Sequence, residues 1–265
     1  MSHIYTPKGK AREYSPLALN VYTGCDHNCE YCYLKGIIGN SRNPRPKKNL
    51  IDGLSKELDT TTINDQVLLS FLCDPYCHLD SELKLTRETL EILNKHNVPT
   101  AILTKGGNRI MRDQDLIKKF GNIKVGATLT FNNDTDSKKW EENAALPSER
   151  LEMLKYFHSI GIKTFASFEP VIEPEQSLNL IKSTLGYIDQ YKVGKWNHDK
   201  RAHAIDWAKF GNEAVEILSS NNKDFYIKND LACFIEGLTE QETNHDALAL
   251  KSYNKEPRKA QMALF

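Results

Sequence analysis

The sequence has no apolar run approaching the roughly 20 residues a bilayer-crossing helix needs. Its hydrophobic residues, 40% of the total, are dispersed in short stretches, which excludes a helical membrane span. The N-terminal MSHIYTPKGK has basic residues but no apolar core and no small-residue cleavage site, so a secretory leader is not expected. Net charge is lacking too. Thirty-five basic residues balance 35 acidic ones, whereas a protein that grips nucleic acid by overall charge is more basic; any such contact is local. No internal repeat or low-complexity tract appears. These absences leave a cytoplasmic, globular chain of 265 residues, enough for one large domain or one domain with a tail.

Cysteines number six. In a cytoplasmic chain they are not expected to form a disulfide framework. Three cluster at Cys25, Cys29 and Cys32, two at Cys73 and Cys77, and Cys233 stands alone. Such clustering points to metal or redox chemistry, with Cys233 read as a packing residue. The basic residues Arg42, Arg45, Lys47 and Lys48, interrupted by Pro44 and Pro46, read as a solvated loop, with a phosphate contact as the alternative.

Short apolar runs alternate with amphipathic ones. Leu17–Tyr22, Val67–Leu72, Thr100–Leu103, Ile123–Leu129, Lys163–Phe168 and Ile188–Val193 are continuous apolar runs, as expected of parallel strands covered on both faces. Phe225–Ile227 is a possible closing strand. Between them, Ser81–His96, Arg112–Phe120, Pro147–Ile160, Glu175–Leu185 and Ala204–Ser219 have helical spacing. Pro147 in a first turn and Gly161 just beyond a last turn are start and stop signals. Repeated strand–helix units imply a parallel sheet with right-handed crossovers. The expected fold is α/β, a partial (β/α)6 TIM-like barrel over residues 1–235, followed by a helix and tail over 236–265. In such a sheet chemistry sits at the carboxyl ends of the strands. Cys25, Cys73, Asp74, Lys105, Thr128, Glu169, Asn197 and His198 all fall just there.

The triplet has the spacing C-x3-C-x2-C. Thiolates are soft ligands that select zinc or iron–sulfur clusters. A [4Fe–4S] cluster normally takes four cysteines; three leave one iron open, as a reactive site requires. With Tyr31 directly before the last cysteine, the segment resembles the signature of radical S-adenosylmethionine (SAM) enzymes. The resemblance implies that Cys25, Cys29 and Cys32 hold a [4Fe–4S] cluster, that SAM chelates the open iron, and that its cleavage yields a 5′-deoxyadenosyl radical. It also implies an electron donor such as flavodoxin or ferredoxin, and places Tyr31 near the adenine. The alternative is zinc held by the triplet and a distant ligand. His27 reads as a polar turn residue.

From about residue 15 to 232 the chain resembles the spore photoproduct lyase-like branch, through LTKGG (Leu103–Gly107), VGATLTF (Val125–Phe131), SFEPVIEPEQSL (Ser167–Leu178), YKVGKWNH (Tyr191–His198) and YIKNDL (Tyr226–Leu231). That resemblance implies SAM contacts from Lys105 and Thr128, and a hydrogen-atom donor at or near Cys73. Cys77 has no counterpart there; it can be the donor, a redox partner of Cys73 or a ligand, and either cysteine can instead be a buried packing residue. Glu169 and Asn197 can bond SAM or substrate. The end of the chain, Gln261–Phe265, resembles the Q-L-x-L-F peptide by which bacterial polymerases and repair proteins bind the sliding clamp, with Met262 in place of leucine.

These readings converge on a radical SAM enzyme acting on DNA or a nucleotide, by lesion repair or base modification. The same chemistry on a peptide, RNA or small metabolite is the first alternative. A non-catalytic iron–sulfur or zinc protein is the second.

Overall fold

Short apolar strands set the architecture, in a computed structural model that describes residues 2–39 and 41–252. In chain order the strands are β1 (Ile4–Tyr5), β2 (Leu17–Leu19), β3 (Tyr22–Thr23), β4 (Arg45–Pro46), β5 (Val67–Leu69), β6 (Thr100–Thr104), β7 (Ile123–Thr128), β8 (Lys163–Phe168), β9 (Gln190–Val193) and β10 (Asp224–Ile227). The main sheet has the order β1-β2-β5-β6-β7-β8-β9-β10. Every pairing from β2 to β10 is parallel; only β1 runs antiparallel to its neighbour. The helices are α1 (Leu50–Thr60), α2 (His78–Leu83), α3 (Leu85–Lys95), α4 (Gln114–Lys119), α5 (Asp134–Trp140), α6 (Pro147–Ser159), α7 (Pro174–Thr184), α8 (Trp207–Ser220), α9 (Asn229–Ala232) and α10 (Glu240–Thr243). Six strand–helix crossovers lead from β2 to β10, which is the expected partial (β/α)6 barrel with its closing strand.

Side chains alternate across these strands. Val67 and Leu69 join the large core that includes Leu54, Leu90, Leu154 and Ile181 from the helices. Leu68, Ala101 and Phe165 form a separate small cluster with Tyr14, Phe71 and Leu103, which lines the inner face. That face is partly polar. Lys124 is buried over the Phe165 ring and donates to Gln190 Oε1 at 3.0 Å and to the Leu248 carbonyl.

Boundaries depart from expectation where polar groups intervene. The first strand stops at Leu19, because Asn20 turns inward and its Oδ1 accepts the Phe71 and Leu72 N–H groups, both at 2.8 Å. Tyr22–Thr23 then pairs with Arg45–Pro46 in a separate ribbon. The single helix expected over 81–96 is two, because Lys84 adopts φ +56° and breaks it. The helix expected from Ala204 starts at Trp207, capped by Asp206, which accepts the Lys209 N–H. Cys233, expected in the core, is exposed.

At the amino ends of the strands, residues 246–252 lie across the barrel. Leu250 N–H donates to Gln66 Oε1 at 3.0 Å, Lys251 bridges to Asp65, and Asn122 donates to the Lys251 carbonyl at 2.8 Å. The clamp-like peptide Gln261–Phe265 lies outside the described residues. No helix among the described residues is long and apolar enough to cross a membrane.

Candidate active site

The cysteine loop leaves the sheet after Asn20 and is fixed at the carboxyl ends of the strands by backbone bonds. Gly24 N–H donates to the Leu72 carbonyl at 2.8 Å, and Cys25 N–H to the Ser41 carbonyl at 2.7 Å. Gly24 sits at φ +86°, and a Cβ there would lie 2.7 Å from the Asn43 carbonyl oxygen, so glycine is required on both counts. Farther along, Glu30 N–H donates to the Trp140 carbonyl at 2.7 Å, and Cys29 bridges to Glu141. The loop is thus held from β5 on one side and from α5 on the other.

All three thiols are free. Burial pushes the Cys29 thiol up to about 12, with the Lys105 charge pulling it back. Burial, aided by Asp74, raises Cys25 well above its ordinary value. Thiols of this kind ionise when a metal takes the proton's place. Among the described residues, the one set of three ligand-type groups with donor atoms mutually within 4.8 Å is Cys25, Asp26 and His27. Cys29 and Cys32 belong to no such set with Cys25, and three soft thiolates in one loop are the donor number that leaves one iron of a [4Fe–4S] cluster open. Asp26 and His27 have other work. Asp26 accepts the His78 and Leu79 N–H groups at 3.1 and 3.2 Å. The Nε2 of His27 accepts from Arg109 at 2.6 Å. Three soft donors in one loop fit an iron–sulfur cluster.

His27 lies in a turn, as expected, but the turn is packed inward. It is 2% exposed, and burial lowers its pKa to about 4 against the pull of Asp74. With Nε2 accepting, the proton sits on Nδ1, 3.6 Å from Asp74 Oδ2. Asp74 organises the floor. It accepts Thr104 Oγ1 at 2.6 Å, Tyr76 N–H at 2.8 Å and Lys105 N–H at 2.7 Å. Its burial opposes ionisation, but His27 and these donors hold its pKa below the ordinary value.

Lys105 and Tyr31 are brought together, with the ammonium 5.4 Å from the ring centroid. The Tyr31 hydroxyl lies 3.3 Å from Thr130 Oγ1 and donates to Glu141. Glu141 is paired with Arg150 at 2.6 Å, both side chains wholly buried. Arg150 also donates to the Thr128 carbonyl at 3.0 Å and the Ala145 carbonyl at 2.8 Å. Neither member of this pair carries a sequence signal. Arg150 reads as a surface position of an amphipathic helix, and Glu141 falls in an unassigned stretch.

Cys73 lies in the loop that follows β5, half-buried, with its thiol donating to Ser70 Oγ at 3.0 Å. Burial pushes it up to about 12, so it stays protonated at neutral pH. Cys77 is fully buried, directly ahead of α2, and burial raises it further.

Glu169 and Asn197 meet on the far side of the mouth. Glu169 accepts from Tyr14 at 2.8 Å, from Asn197 at 3.2 Å and from Lys228. Lys228 is 2% exposed, 3.9 Å from the Tyr14 ring centroid and 3.8 Å from Glu13. Gly194 leaves room for this group, since a Cβ there would lie 2.9 Å from Lys228 Cδ. Both Glu169 oxygens are thus engaged within the protein. Tyr14, Lys228 and Glu13 were not singled out from sequence.

The radical SAM superfamily profile matches residues 19–187, more than half of the chain and the whole span from the cysteine loop to α7. An uncharacterized protein of Methanocaldococcus jannaschii is 32% identical over 162 residues, 58% of this chain and 60% of its own length. Among solved structures, spore photoproduct lyase complexed with dinucleoside spore photoproduct superposes with a TM-score of 0.64 at 12% identity, covering 84% of this chain and 78% of that one. Streptococcus suis SuiB bound to S-adenosylmethionine gives 0.60 at 15% identity, over 83% of this chain and 50% of that one. The chain thus spans about half the length of SuiB and 60% of the archaeal relative. The profile match and the thiol loop at the carboxyl mouth of a partial barrel together make this chain a member of the radical SAM superfamily, enzymes built around a [4Fe–4S] cluster and SAM.

Proposed function

We propose that the protein is a radical SAM enzyme acting on DNA or a nucleotide, with Cys25, Cys29 and Cys32 holding the cluster. The observation that carries the assignment is the trio of free thiols in one loop, with a lysine lodged against the ring of Tyr31 in that same loop. When bound, the cluster and SAM supply a 5′-deoxyadenosyl radical able to take a hydrogen atom from substrate. The chain's own residues do the rest. Lys105 offers a point charge to the SAM carboxylate, and its backbone is pinned by Asp74. Tyr31 offers its ring to the adenine, braced by Glu141. Thr128 is at the end of β7 beside them. Cys73 keeps its proton, and a neutral S–H at this place can return a hydrogen atom to a product radical. Cys77, capped inside the fold, is assigned packing or a reserve redox role.

The fold does not choose the substrate. Spore photoproduct lyase is recorded with a dinucleoside photoproduct and SuiB with a precursor peptide, and one fold hosts many chemistries. Support for DNA comes from the five segments resembling the lyase branch, and from cationic residues on the rim.

The test is anaerobic reconstitution, reduction with dithionite in the presence of SAM, and an assay for 5′-deoxyadenosine beside a Cys29→Ala control. Production only with the intact triplet supports the reading; ultraviolet-irradiated DNA is then the first substrate to supply. Binding of zinc alone, or an intact cluster that never cleaves SAM with any nucleic-acid substrate, refutes it.

A further inference from the structure

Directly after the last cysteine, residues 33–51 carry Lys35, Arg42, Arg45, Lys47 and Lys48 and no acidic residue, in a chain whose charges balance as a whole. Among the described residues, the arginines elsewhere are spoken for. Arg12, Arg87, Arg109, Arg112, Arg150 and Arg201 each hydrogen-bond a carboxylate, carbonyl or imidazole. Among the described residues, Arg42 and Arg45 alone of the arginines have no ion pair and no side-chain hydrogen bond, and both are exposed.

These two guanidiniums are not on a loose arm. Thr23 pairs with Arg45, Lys47 N–H donates to the Val21 carbonyl at 3.0 Å, and Cys25 N–H donates to the Ser41 carbonyl. Pro44 and Pro46 fix φ on either side of Arg45. The segment is therefore part of the rim beside the first cluster cysteine. Tyr33 and Ile37, 49% and 67% exposed, add apolar surface to the same segment.

We propose that this rim receives the phosphate backbone of a nucleic-acid strand and aligns it across the mouth. The inference rests on the DNA reading above and extends it from a nucleotide to a polynucleotide. A guanidinium fork matches phosphate oxygens two at a time, and holding it in place beforehand lowers the cost of binding. Cationic tracks with exposed aromatic surface are the common make-up of single-strand binders. An enzyme that works on a base must also take it from a single strand or out of the stack.

The experiment measures fluorescence anisotropy of a labelled single-stranded DNA oligonucleotide with reconstituted holoenzyme across a salt series. Unaltered protein is compared with Arg42→Ser/Arg45→Ser and with Arg42→Lys/Arg45→Lys. Loss of two phosphate contacts should cut the slope of log K against log salt by ~1.4, which at 0.1 M salt is ~25-fold in affinity relative to the 1 M reference. Iron content and substrate-independent SAM cleavage should stay unchanged, and the lysine pair should keep most of the slope. An unchanged slope in the serine pair overturns the rim proposal while leaving the DNA reading intact. Absence of salt-dependent binding by the unaltered protein overturns both. If the serine pair instead slows reduction by a flavodoxin, with oligonucleotide affinity unchanged, the rim serves an acidic electron carrier and the proposal is wrong.

Discussion

Replacing Arg150 with methionine keeps the length of the side chain and removes a charge that has no contact with solvent. Glu141 would then be a carboxylate buried without its partner, and the Thr128 and Ala145 carbonyls would lose their donors. Breaking one side of a buried pair costs about 3–5 kcal/mol. In a chain of this size that lowers Tm by roughly 6–20 °C. The pair also sets an acid limit. Burial pushes Glu141 up, but Arg150 and then Lys105 overcome it, so the group falls from an ordinary 4.5 to about 2. The folded state therefore binds fewer protons than the unfolded chain between those values. The stabilisation is complete above about pH 4.5 and is lost as pH falls toward 2. Urea titrations of the reconstituted protein at pH 7 and at pH 4 measure both effects. Arg150→Met should lose stability at pH 7 and show a smaller difference between the two pH values. The Glu141→Gln/Arg150→Met double variant should be less damaged than the sum of its single changes. An Arg150→Met variant within about 1 kcal/mol of the parent would refute the reasoning, because a paired, solvent-free guanidinium cannot be that cheap to remove.

Lys192 gives a pH dependence of the same sign in a higher window. Burial, and then Lys228, lower it from 10.5 to about 7, so the unfolded chain holds more protons between those values and Lys192 adds stability as pH rises through them. In Lys192→Met that contribution to the pH profile of urea unfolding should vanish. Lys105→Met should weaken SAM binding ~10- to 100-fold, the worth of a charged hydrogen bond, with iron content unchanged; equal SAM affinity in an isothermal titration would remove Lys105 from the site. At Gly126 a Cβ would lie 2.5 Å from the Phe165 ring, so Gly126→Ala should cost about 1–3 kcal/mol by overpacking, read as a lowered urea midpoint. Cys73→Ala should leave 5′-deoxyadenosine formation intact and alter the product, detected by mass spectrometry of the nucleic acid; an unchanged product spectrum would shift the donor role elsewhere.

The strands were legible because a parallel sheet covered on both faces demands continuous apolar runs, and Val67–Leu69, Ile123–Thr128 and Lys163–Phe168 supply them. The cysteine loop was legible because its spacing is local. What escaped was set by tertiary contact. Helix α1 carries Leu50, Leu54 and Leu58 on one face, but Gly53 in its first turns and the cationic run before it hide the signal. That glycine is explained only by the fold, since a Cβ there would run into the His3 ring. The break at Lys84 places a lysine at φ +56°, which nothing in its side chain announces. Glu141 and Arg150 lie on different elements, and only packing makes them a pair. His27 reads as a polar turn residue, and nothing local announces that Arg109 and Asp74 satisfy it inside.

The strap formed by residues 246–252 crosses the amino ends of the strands, while the thiols, Lys105 and Cys73 stand at the carboxyl ends. The strap laces the base of the barrel, opposite the mouth that carries the thiols. Whatever is joined to the chain after Ser252 sets out from the underside. Fluorophores, affinity handles or tethers fused there start far from the reacting atoms, so a surface-immobilised form of this enzyme should present its mouth to solution rather than to the support.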